Sequence, residues 1–123
     1  MSAFTDLGTV APQRIWDGVS GRVVHGERVT FALVELDPGA TVPEHSHDNE
    51  QLGIVIVGSL TFTVDGDTRE LGPGQAWCIT KNLPHSVVAG PDGAVLVEVF
   101  SPVRDDWAGL VTDEPRPARW PKS

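Results

Sequence analysis

The sequence predicts an all-β, single-domain protein built as a sandwich or barrel, and three observations lead there. Its 123 residues suffice for one sizeable core and not for two. Thirteen glycines and ten prolines punctuate the chain, and β-branched residues are abundant between them. Turn signals recur about every eight to twelve residues, the spacing of short strands in a sandwich or barrel.

Taken in order, residues 1–18 read as an irregular arm in which Pro12 interrupts and Trp16 can anchor. From Gly21 to Leu36, two apolar runs flank His25-Gly26-Glu27 as a hairpin, which Asp37-Pro38-Gly39 ends. Strands are expected at Gly53–Val57 and Leu60–Val64, the second entering the tight-hairpin signal Asp65-Gly66 and returning as Thr68–Leu71. After Gly72-Pro73-Gly74 come Ala76–Thr80, Ser86–Ala89 and Ala94–Phe100, with Gly90-Pro91-Asp92-Gly93 as a turn between the last two. Arg104–Leu110 is the one segment with a helical period, good for a turn or two. Pro115, Pro117 and Pro121 keep the tail extended. The organisation expected is thus an arm at 1–18, a barrel at 19–103, and a short helical turn with an extended tail at 104–123.

Composition narrows the partners. The net charge is −8, with Lys81 and Lys122 as the only lysines and no basic run, so nucleic acid is not an expected partner. No apolar stretch approaches the length of a membrane span, and no basic segment with an apolar run marks a leader, so no membrane partner and a cytoplasmic location are expected. A single cysteine, Cys78, rules out an internal disulfide framework. Apolar residues in the terminal segments (Phe4, Trp16, Trp120) suggest a homodimer, whereas Trp77 reads as core packing and Trp107 as a docking residue.

Chemistry concentrates in the histidines. His25 lies at a turn and reads as an ordinary surface residue. His45 and His47 stand two apart, so on a strand both imidazoles face one way and can chelate a metal. The same parity carries Gln51 to the histidine face and Glu50 to the other, unless Asp48-Asn49 turn, in which case Glu50 is the rival ligand. His85 follows Pro84, whose fixed backbone suits a rigidly aimed side chain.

These residues resemble the two motifs of the cupin superfamily. Gly39, His45, His47, Gln51 and Gly58 keep the spacing of the first, with glutamine where the family has glutamate. Gly74 and His85 keep that of the second, with Thr80, Asn82 and Ala89 at its proline, glycine and asparagine positions. Asn82 is a sensible departure, because asparagine tolerates the left-handed conformation of a turn glycine. The resemblance spans about residues 19–101 and implies an antiparallel β-barrel, or jelly roll, with one divalent transition metal (Zn, Ni, Co, Fe or Mn) in its mouth. The implied ligands are His45, His47, Gln51 and His85.

A neutral glutamine leaves the metal its full charge, which favours Lewis-acid work over redox chemistry. Ala94–Phe100 is apolar at almost every position yet contains Glu98, which shares a face with Leu96 and Phe100. Arg104 follows past Pro102. This stretch, with His45-Ser46-His47 and Glu50-Gln51, resembles the small cupins that open unsaturated uronates in pectin and alginate breakdown. There an Asp-x-Phe-x-x-x-Arg stretch reaches the substrate; Phe100 and Arg104 match it and Glu98 replaces its aspartate. The expected activity is a metal-dependent isomerase or lyase, of ring-opening or cyclase type, acting on a small oxygenated substrate with a carboxylate. Glu98 would move the proton and Arg104 would hold the anion. The alternatives are an iron-dependent dioxygenase and a small-molecule-binding protein without catalysis; the absence of a helix-turn-helix segment counts against a DNA-binding regulator.

Overall fold

A computed structural model describes residues 2–121, so the last two residues of the expected tail lie outside it. The described residues form eight strands, β1 (Gln13–Trp16), β2 (Val19–His25), β3 (Thr30–Leu36), β4 (Thr41–His45), β5 (Glu50–Val64), β6 (Asp67–Leu71), β7 (Ala76–Ile79) and β8 (His85–Ser101), with 3-10 helices at Leu7–Thr9 and Asp105–Gly109. Every pairing between them is antiparallel. The strand order β1-β2-β3-β8-β5-β6, with β4 on β8 and β7 on β5, makes a two-layered all-β fold.

β5 and β8 belong to both layers. The late part of β8, Ala94–Phe100, pairs with β3 and with the start of β5, whose other edge carries β7. Its early part, His85–Ala89, pairs with β4 and with the end of β5, whose other edge carries β6. Here the structure corrects the sequence, which reads each long strand as two. Gly90-Pro91-Asp92-Gly93 bulges out without reversing the chain, because Ala89 and Ala94 pair with Leu60 and Gly58 of the same strand. Glycine is required at this crossing: Gly58 and Gly93 have φ of 81° and 74°, and a Cβ at Gly58 would lie 2.1 Å from the Gly93 carbonyl oxygen. The hairpin at Asp65-Gly66 forms as expected, with both residues at positive φ (48° and 82°).

The arm is the second correction. Residues 13–16 are not irregular but add β1 to the edge of β2. On its outer side β1 is clipped by the returning tail: the Arg14 N–H donates to the Val111 carbonyl (2.9 Å), Asp113 N–H donates to Pro12 (2.8 Å), and Arg14 pairs with Asp113.

Inner-face side chains of both layers fill one core, including Ala32, Val34, Leu36, Val55, Leu60, Phe62, Leu96 and Phe100. The outer face of β2 and β3 buries an ion pair, Arg22 with Glu35, both 1% exposed. Arg22 also donates to the carbonyls of Leu7, Val10 and Arg116, and Glu35 accepts from the Arg119 backbone N–H at 2.8 Å. Arm and tail are thereby tied across that face.

Candidate functional site

Three strand ends and one loop converge at the mouth of the core. His45 closes β4 and sits directly opposite His85, which opens β8. The sequence places His47 on the same strand as His45; in the structure β4 ends at His45, and His47 lies in the loop before β5. One nitrogen from each of the three rings falls within 4.8 Å of the others. His25 is elsewhere, bonded to Thr30 Oγ1.

Each ring is oriented by a nearby carbonyl. His45 Nδ1 lies 2.8 Å from the Pro43 oxygen, His47 Nδ1 3.0 Å from Asn49 and His85 Nδ1 2.8 Å from Leu83. A carbonyl only accepts, so each Nδ1 carries a hydrogen, and Nε2 is the nitrogen left to offer a lone pair. His47 and His85 are kept neutral: burial lowers both, His85 to about 4, and the Arg104 charge adds to the effect at His47. Such carbonyl-anchored imidazoles are the usual support of a metal ligand.

The donor set fits a cation in two further ways. His85 Nε2 is buried with no hydrogen-bond partner, an expensive state unless something accepts its lone pair. His47 Nε2 stands 3.0 Å from Gln51 Oε1, two acceptors face to face, while the Gln51 amide N–H donates to Glu98. A cation between the rings would satisfy both. Gln51 is buried and paired across the sheet with Ile79 and Phe100, whereas Glu50 is exposed.

Glu98 lies on the inner face of β8, 7% exposed, and not in solvent. Desolvation pushes its carboxyl up to about 7, against the pull of Gln51, Trp77 and Arg104 towards the charged form. The Trp77 indole N–H is buried beside it without meeting hydrogen-bond geometry to any partner. Gly53, opposite Glu98 and Trp77 in the sheet, makes room: a Cβ there would lie 2.4 Å from the indole ring.

Arg104 precedes the second 3-10 helix, where the sequence suggests a helical turn. Its guanidinium is sandwiched between Phe100 (4.8 Å) and Trp107 (4.2 Å), and is 7% exposed as a residue. Asp106 takes its Nε and Nη2 at 3.0 and 2.8 Å and is itself held below the usual carboxylate range by that contact. The three histidines, Gln51, Glu98, Arg104 and Asp106 all line one cavity of about 220 Å³.

Three residues of the site escape the sequence reading. Trp16, expected to serve the termini or an interface, comes from β1 to line the cavity with its ring 5.3 Å from that of His45. Asp106, two residues past Arg104, is legible only as a countercharge once the local turn is known. Asn49 orients His47 through its main chain and donates from its side chain to Pro102 (2.5 Å), joining the histidine loop to the segment of Arg104.

Comparison with known proteins finds similar chains and folds. The family described as "Cupin domain" matches residues 32–100. The pectin degradation protein KdgF of Dickeya dadantii (strain 3937) is 31% identical over 97 residues, which cover 77% of this chain and 88% of that protein. Among solved structures, KdgF from Halomonas sp. superposes with a TM-score of 0.72 at 29% identity, over 77% of this chain and 88% of its own. An RmlC-like cupin from Shewanella frigidimarina reaches 0.80 at 24% identity, over 86% and 96%, and at that identity speaks for the fold alone.

Proposed function

The chain belongs to the cupin family and is KdgF-like, and on that premise we propose that it is a metal-dependent, non-redox isomerase or lyase for a small oxygenated substrate bearing a carboxylate. The observation that carries this reading is the convergence of three carbonyl-anchored imidazoles on one point, beside a buried carboxyl that titrates near neutrality. His45, His47, His85 and Gln51 would hold one divalent ion. When bound, that ion supplies Lewis-acid polarisation of a substrate hydroxyl or carbonyl. Glu98, poised at about 7, takes or returns the proton at the adjacent carbon. Arg104, stiffened between two aromatic rings with its Nε and Nη2 on Asp106, offers Nη1 to the substrate carboxylate, and Phe100 forms the adjoining wall. The neutral Gln51 adds no negative charge to the site, which favours polarisation over redox work.

The relative's part in pectin degradation makes unsaturated uronates the first substrates to offer. The expected result is turnover that requires added divalent metal and is equal in air and under nitrogen. Oxygen uptake coupled to turnover would replace this reading with the iron-dependent dioxygenase. His47→Ala is expected to purify folded and with little metal; full metal content in that variant would remove the assigned site.

A further inference from the structure

The cavity wall differs sharply from its mouth. Twelve of the nineteen lining side chains are apolar, and the seven polar ones are the four proposed metal ligands, Glu98, Arg104 and Asp106. Glu98 and Arg104 belong to the reacting end, Asp106 is paired with Arg104, and beyond them the wall is Val34, Leu36, Val42, Val87 and Leu96, with Phe62 at its side. Among the described residues no serine, threonine, asparagine or lysine faces in, and the chain has no tyrosine. A fully hydroxylated ring would bring hydroxyls against this wall, and each one buried without a partner weakens binding by roughly tenfold. An alkyl or aromatic body would instead gain by leaving water.

We infer that the substrate is amphiphilic, with an oxygenated, anionic end at the histidines and Arg104 and an apolar body against the inner barrel wall. The inference rests on the reading above, which supplies the anionic end, and departs from a sugar acid in what it assigns to the rest of the molecule. The wall also sets the size: about 220 Å³ corresponds to roughly seven waters, room for one small ring and its substituents.

Calorimetry with a matched pair tests it, cyclohexanecarboxylate against glucuronate, each one six-membered ring with one carboxylate. The purified protein is expected to bind cyclohexanecarboxylate at least tenfold more tightly. Val87→Thr, a near-isosteric change on the wall, is expected to narrow that ratio severalfold, and Val42→Thr on the same wall serves the same end if the first variant folds poorly. Arg104→Lys is expected to weaken both ligands alike, because an ammonium lacks the guanidinium's paired contacts and stacking. Equal or tighter binding of glucuronate, still sensitive to Arg104, overturns the apolar body and leaves the proposed reaction standing. Binding of both ligands that ignores Arg104→Lys, or of neither, overturns the anionic end and the amphiphilic substrate with it.

Discussion

Glu35 and Glu98 are buried carboxylates on adjacent, paired strands, β3 and β8, yet their surroundings oppose each other. Glu35 faces outward under the arm and tail, where Arg22 and the Arg119 backbone reach it from two sides. Glu98 faces inward, where an amide donates to it and the nearby cation Arg104 is engaged with Asp106. A carboxylate with a buried guanidinium is a fastener. One left with a neutral donor and little water keeps its proton to an unusually high pH, which suits proton transfer.

The largest effect expected from this contrast is on the outer face. Arg22→Ala strands Glu35 and frees three carbonyls of the arm and tail, and should cost about 3–5 kcal/mol in urea unfolding. A loss below about 1 kcal/mol would break the description of Glu35 as a fastener.

Glu98→Gln examines the inner face. Folding raises this carboxyl from 4.5 to about 7, so the folded state holds a proton that the unfolded chain has already released. Its stabilising contribution is complete below pH 4.5 and disappears as the pH rises to about 7, a change on the order of 3 kcal/mol. His85 runs the other way: lowered from 6.5 to about 4, it contributes fully above 6.5 and loses its contribution as the pH falls towards 4. In the metal-free protein the two slopes oppose one another across nearly the same window. The glutamine variant keeps only the histidine slope, so its stability relative to the parent should climb by about 3 kcal/mol from pH 4.5 to 7. A difference independent of pH would mean that Glu98 does not hold its proton through that window. With metal bound, the variant should retain its metal and lose about a hundredfold or more in kcat.

The smallest effect belongs to a pair with neither burial nor function. Arg69 and Asp67 are exposed at the β5–β6 hairpin, and Arg69→Ala should leave the unfolding midpoint unchanged. A shift comparable to that of Arg22→Ala would mean that burial does not separate the two pairs.

What the sequence makes legible follows from the range of the forces involved. The Asp65-Gly66 hairpin depends on two residues and their own dihedrals, and it is read directly. The face occupied by Gln51 follows from spacing, although His47 leaves the strand on which the parity argument placed it. The continuity of β5 and β8 is hidden, because Gly58 and Gly90-Pro91-Asp92-Gly93 carry turn chemistry and only pairing across the two layers converts a turn into a bend. Arg22 is hidden for a different reason. Its partners at Glu35 and Arg116 are separated from it by 13 and 94 residues, and a lone arginine in a strand gives no hint of either. Trp16 is misread with the arm, since its place in the cavity depends on β1 being held from both edges.

That two-sided hold has a consequence for synthesis. Arg14 and Asp113 are 99 residues apart, and a ribosome adds about 5–20 residues per second, so the outer clip of β1 arrives roughly 5–20 s after β1 itself. For the last 28 residues of that stretch, roughly 1–6 s, every proposed metal ligand has been added, while Ile15 and Trp16 depend on a short hairpin with β2 alone. The nascent chain therefore acquires its ion-binding residues before its cavity has a finished wall, and a chaperone that recognises exposed tryptophan would meet this one early.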